Sequence, residues 1–76
     1  MKLHLGSYLS WYVPQHPSRM EINLDKPILL AELVAQLKLP VEEIAIAAVN
    51  GTLVSVREAQ ISDEDIVELH PPNGGG

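Results

Sequence analysis

Apolar and polar positions alternate strictly at the start of the chain. Met1, Leu3 and Leu5 share one parity and Lys2 and His4 the other, the period of a half-buried β-strand. Tyr8, Leu9, Trp11, Tyr12 and Val13 continue a β-favouring composition until Pro14-Gln15-His16-Pro17-Ser18, where two prolines remove donors and fix φ. Alternation resumes over residues 19–24, with Met20, Ile22 and Leu24 on one face and Glu21 and Asn23 on the other. Two alternating runs about a proline-rich turn predict an antiparallel hairpin.

The period then changes. Leu30, Leu33, Val34 and Leu37 fall at i, i+3, i+4 and i+7, the apolar stripe of an amphipathic helix. Pro27 suits its first turn, Asp25 is the available N-cap, Lys38 is a favourable charge at its C-terminal end, and Pro40 stops it. Residues 44–49 are apolar throughout and predict a strand covered on both faces or lying centrally in a sheet. Asn50-Gly51 follows, the dipeptide of a type I′ hairpin turn with φ > 0 at both positions, and residues 52–56 predict the returning strand. Ser62-Asp63-Glu64-Asp65 reads as a polar turn and residues 66–69 as a last short strand. The order ββαβββ, with one helix to cover one sheet, predicts an α+β fold of the β-grasp, ubiquitin-like kind. Its mixed sheet has four to five strands, with the main helix packed on one face. Residues 1–72 form this domain and residues 73–76 a glycine-rich tail.

Composition narrows the chemistry. With 46% hydrophobic and 20% charged residues, the 76-residue chain has an ordinary core, not the make-up of a disordered segment. Ten acidic against five basic residues give a net charge of −5, so no basic field is available to neutralise phosphates and nucleic acid is not an expected partner. Zero cysteines remove disulfides, thiolate metal sites and thiol nucleophiles together, in keeping with a reducing compartment. Residues 1–5 run directly into the alternating pattern with no apolar signal region, and no run approaches the ~20 apolar residues of a membrane span. A cytoplasmic protein without membrane attachment is expected.

The chemistry is expected at the end of the chain, Pro71-Pro72-Asn73-Gly74-Gly75-Gly76. Two prolines favour an extended, stiffened backbone, and three glycines offer nothing to pack while losing the most entropy on ordering. Such a terminus is narrow enough to enter a tunnel in another protein and carries an unhindered carboxylate. Six extended residues from Pro71 reach roughly 20 Å. Glycines at a chain end also occur as simple frayed tails. Here they follow a β-grasp pattern and a strand ending directly in Pro-Pro, which favours a reactive arm.

Other residues carry less. His4, His16 and His70 show no H-x-x-H or H-E-x-x-H spacing, so packed or solvated imidazoles are expected, although His4 and His70 become neighbours if the first and last strands pair. Tyr8, Trp11 and Tyr12, the only aromatics of the Phe, Trp and Tyr class, are expected in sheet packing, with a partner surface as the alternative. Glu42, Glu43, Asp63, Glu64 and Asp65 read as solvated turn charges without the spacing of a calcium loop, and Arg57 as an exposed side chain.

Ala47-Ala48-Val49-Asn50-Gly51-Thr52-Leu53-Val54-Ser55, then Ile61-Ser62-Asp63-Glu64-Asp65-Ile66-Val67, then Pro71-Pro72 and the terminal glycines resemble the MoaD/ThiS family of ubiquitin-like sulfur carriers, nearest to the small subunit of molybdopterin synthase. The resemblance implies that a ubiquitin-activating-enzyme-like adenylyltransferase uses ATP to convert the Gly76 carboxylate to an acyl-adenylate. A sulfur donor protein then displaces AMP to leave a thiocarboxylate. The large synthase subunit takes the terminus into its active site, where the sulfur goes to a cyclic pterin monophosphate in molybdenum or tungsten cofactor synthesis. It implies Gly76 as the reacting residue, Gly74, Gly75, Pro71 and Pro72 as partner-binding positions, no cofactor bound by the carrier, and no catalysis by the carrier alone. A thiamine-type carrier, a small modifier joined to lysines, and a non-catalytic ubiquitin-like interaction module share these features in whole or part.

Overall fold

A computed structural model describes residues 1–72. Its elements are β1 (Lys2–Leu5), a first 3-10 helix (Ser7–Tyr12), β2 (Arg19–Glu21), β3 (Ile28–Leu29), α1 (Leu30–Gln36), a second 3-10 helix (Val41–Glu43), β4 (Ile46–Val49), β5 (Thr52–Val54), β6 (Gln60–Ile61) and β7 (Ile66–His70). The main sheet has five strands in the order β2-β1-β7-β4-β5, and β3 pairs with β6 in a separate ladder of two. The sheet is mixed: β1 and β7 run parallel, with Leu3 opposite Val67, while β1–β2, β4–β7 and β4–β5 are antiparallel. This is the predicted β-grasp.

Alternation in the sequence places the core. Leu3, Leu5, Val67, Leu69 and Ala47 point from the sheet into one cluster with Leu30, Leu33 and Val34 of α1, all of them buried. The helix stripe is the one the spacing predicts, except that Leu37 is only partly buried. Lys2, His4, Arg19, Glu21, Glu68 and His70 occupy the opposite, solvent face of the sheet.

The first hairpin is shorter than its composition suggests. The β1–β2 ladder ends with His4 opposite Arg19, closed by the Leu5 amide donating to the Ser18 carbonyl at 2.8 Å. Continuing that register would set Pro17 against Gly6 and Pro14 against Leu9, where a ladder needs N–H donors that proline lacks. Residues 8–13 are therefore no strand. They lie mostly in the first 3-10 helix, which turns Leu9, Ser10 and Val13 inward and leaves Trp11 and Tyr12 exposed.

The helix also begins later than predicted. Ile28 and Leu29 pair with Ile61 and Gln60 before α1 starts, and the Leu30 amide is satisfied by the Ala59 carbonyl at 2.9 Å. Pro27 and Asp25 thus lie outside the helix, and no side chain caps it. At the other end, the Lys38 amide donates to the Ala35 carbonyl at 3.0 Å and the Leu39 amide to that of Val34 at 3.1 Å. That pair of bonds is a Schellman closure, with Lys38 in the left-handed position (φ 60°) where glycine is usual.

The turn prediction at Asn50-Gly51 holds, with φ of 52° and 83° joining β4 to β5. Both flanking strands are shorter than predicted: residues 44 and 45 precede β4, and β5 ends at Val54. The short β6 was not foreseen, since Gln60–Ile61 is too brief to show a period.

Candidate functional site

The route to the expected reactive end runs along β7. This strand lies in the middle of the sheet, bonded on one side to β1 and on the other to β4. At its last two residues the backbone is still tied on both sides. The Gly6 amide donates to the Leu69 carbonyl at 2.8 Å, and the Ala45 amide to the His70 carbonyl at 2.9 Å. Pro71, predicted as a partner-binding position, is fully buried, and Pro72 is half-buried. Pro71 therefore anchors the exit of the strand in the core. Proline fits here because the strand has no further ladder donor to give. Gly74, Gly75 and Gly76 lie outside the described residues.

The surroundings of this exit are built by chain segments distant in sequence. His70 faces solvent beside His4, their rings meeting edge-on with centroids 5.9 Å apart, as the parallel pairing of first and last strands predicts. Glu68 lies between them, one carboxylate oxygen 3.8 Å from His4 Nδ1 and the same distance from His70 Nε2. Among the described residues no group of three His, Cys, Asp or Glu side chains is placed to hold a metal ion. The His70 imidazole also lies against Gly6, where any Cβ would run into the ring. That close approach explains the glycine, whose backbone is otherwise ordinary extended chain (φ −77°, ψ 152°).

Two short helices complete the rim around the exit. The first 3-10 helix follows β1 directly, and the second leads through Ile44 into the Ala45–His70 hydrogen bond. The Tyr8 hydroxyl donates to Glu43 Oε1 at 2.9 Å and links them. That bond to a carboxylate, helped by burial and the negative charge, holds the Tyr8 phenol above its ordinary pKa. Glu43 is thus a structural acceptor and not merely a solvated charge.

Trp11 stands out on this rim. It is 68% exposed, and Tyr12 beside it is 44% exposed, so sheet packing does not account for either. The His16 ring covers one face of the indole, with centroids 4.3 Å apart and planes inclined by 33°. The turn that brings His16 there has two successive non-glycine residues in the left-handed region, Gln15 (φ 67°) and His16 (φ 52°). Each costs on the order of 1–2 kcal/mol, so the rest of the loop must hold them there. The aromatics are visible in the sequence; their exposure is not, because it follows from a helix that composition does not announce.

The residues of the Ala47–Ser55 and Ile61–Val67 motifs build a corner at the opposite end of the sheet. Asn50 Nδ2 donates to Asp65 Oδ1 and Asn50 Oδ1 accepts from the Ile66 amide, both at 2.9 Å. Asp65 Oδ2 accepts from the Ser62 amide at 2.8 Å, and Asp63 Oδ1 from the Leu24 amide at 2.8 Å and from the Met1 amino group at 3.4 Å. These amide donors hold both carboxyls below their ordinary range, with Asn50 assisting Asp65 and the amino group assisting Asp63. Asp63 and Asp65 therefore stitch the fold, whereas Glu42, Glu64 and Arg57 are exposed as expected.

The family model of the ThiS family matches residues 7–76. No curated protein matches the chain.

Proposed function

The chain belongs to the ThiS family of ubiquitin-like sulfur carriers, and from that premise we propose that Gly76 is the residue that is activated and carries the sulfur. A carboxylate is a poor electrophile. An activating enzyme joins a Gly76 carboxylate oxygen to the α-phosphorus of ATP, releasing pyrophosphate and leaving AMP as a good leaving group on the acyl carbon. A sulfide equivalent from a donor protein attacks that carbon, AMP departs, and the terminus becomes a thiocarboxylate. The carrier needs no cysteine for this, in keeping with a chain that has none.

The observation that supports the reading most is the handover from β7. The central strand of the sheet ends at His70, its exit is fixed by Pro71, and three glycines follow in the sequence. A rigid base and a slender end suit delivery into a buried active site. The sulfur acceptor we favour is a pterin precursor of the molybdenum or tungsten cofactor, on the resemblance of the Ala47–Ser55 and Ile61–Val67 segments to the small synthase subunit. A thiazole precursor of thiamine is the alternative.

Top-down mass spectrometry after incubation with ATP, a ThiS/MoaD-type adenylyltransferase and a sulfur donor tests the proposal. One sulfur-for-oxygen exchange, placed on Gly76 by fragmentation, is the expected product. Fragmentation is essential because oxidation of Met1 or Met20 adds nearly the same mass. Deleting Gly76 should abolish the product while leaving the melting temperature unchanged. An unmodified terminus, with an enzyme active on its own carrier, would instead favour an interaction module.

A further inference from the structure

We propose that the rim bearing Trp11 is the docking element for the protein that receives Gly76, and that this protein offers an apolar slot for the indole flanked by cationic side chains. The inference rests on the carrier reading and extends it to a surface.

Reach comes first. Four residues follow Pro72, ending in Gly76, and a fully extended run of four spans at most about 13–14 Å. A protein that acts on Gly76 must therefore bring its surface close to the end of the sheet where β7 exits. That end is formed by the two 3-10 helices, joined to each other by Tyr8 and Glu43 and to β7 by Gly6 and Ala45. The contact area available to such a partner includes Trp11 and Tyr12.

Form and charge point the same way. A large aromatic left 68% exposed and steadied on one face by His16 is already in place, so little side-chain freedom is lost when its other face is covered. Glu42 is exposed on the second 3-10 helix of the same rim, and among the described residues it has no ion-pair partner. With the chain at −5 overall, the complementary surface is basic around an apolar centre.

The test uses the full chain with ATP, sulfide and a ThiS/MoaD-type adenylyltransferase, following thiocarboxylate formation as the carrier concentration is varied. Trp11→Ala should raise KM about tenfold and leave kcat unchanged, as removal of a docking contact does. Trp11→Phe should recover most of the loss, and Glu42→Lys should raise KM while weakening its dependence on salt. A wild-type chain that turns over while Trp11→Ala matches it in KM, or loses kcat alone, overturns the docking role and leaves the carrier reading intact. A wild-type chain that an active enzyme does not modify overturns the carrier reading and the docking role with it. As Trp11 is the only tryptophan, a 5-fluorotryptophan-labelled chain supplies a measurement free of any variant. Its single fluorine resonance should shift on adding the enzyme, and an unmoved resonance at saturation counts against the proposal.

Discussion

Asn50 and Asp65, fifteen residues apart, are joined side chain to side chain at 2.9 Å, and the bond ties the β4–β5 turn to the turn that launches β7. Asn50 performs two tasks at once, because its own backbone is left-handed at φ 52°. Asn50→Gly keeps that backbone at no steric cost but loses both side-chain bonds, whereas Asn50→Ala loses the bonds and strains the turn. In urea titrations we expect the glycine variant to lose about 1 kcal/mol and the alanine variant about 2–3 kcal/mol. Equal losses would show that the turn's backbone carries no strain.

The carboxyls of Asp63 and Asp65 predict the acid limb of stability. Both are held below the ordinary value of 3.8 in the folded protein, so the unfolded chain binds more protons in that range. Their contribution is complete above pH ~4 and is lost as the pH falls through the folded-state values. Melting temperatures measured between pH 2 and 6 should drop below pH 4, and Asp63→Asn with Asp65→Asn should flatten that slope. An unchanged slope in the double variant would assign acid sensitivity to other groups.

Lys38 offers a gain. It closes α1 in a left-handed conformation that costs a side-chain-bearing residue energy and glycine almost none. Lys38→Gly should stabilise the protein by about 0.5–1 kcal/mol, read as a higher urea midpoint at constant slope. A lower midpoint would mean that the lysine side chain contributes more than its backbone costs.

Gly6 and His70 form a testable pair. Gly6→Ala places a methyl group where the His70 ring lies, and should cost about 1–2 kcal/mol. Combining it with His70→Ala removes the obstruction. The double variant should be more stable than the sum of the single effects by a coupling of roughly 1 kcal/mol. Additive losses would place the strain elsewhere in the loop.

The elements legible in the sequence were those whose period is long enough to repeat. Leu3 and Leu5, Leu30 with Leu33 and Val34, and the Asn50-Gly51 turn each lie where the pattern puts them. Residues 8–13 misled because Tyr8, Leu9, Trp11, Tyr12 and Val13 have the composition of a strand. What decides their conformation is two prolines across the turn, a fact about register and not about local composition. Gln60–Ile61 and the late start of α1 share one cause, a tertiary pairing of two residues with two others. The prolines at the exit were readable as the end of a strand, but the burial of Pro71 depends on packing that only the assembled sheet supplies.

Placing the parallel β1–β7 pair at the centre of the sheet has a consequence for biosynthesis. Without β7 the sheet falls into two separate hairpins, β1–β2 and β4–β5, and isolated two-stranded hairpins are at best marginal in water. During translation the nascent chain therefore cannot close its main sheet until the final strand has emerged, and contacts this distant in sequence form slowly. The end of the sheet from which the chain leaves is thus completed only when β7 joins the two hairpins. An activating enzyme that recognises that end would pass over incomplete copies and spend ATP only on finished ones.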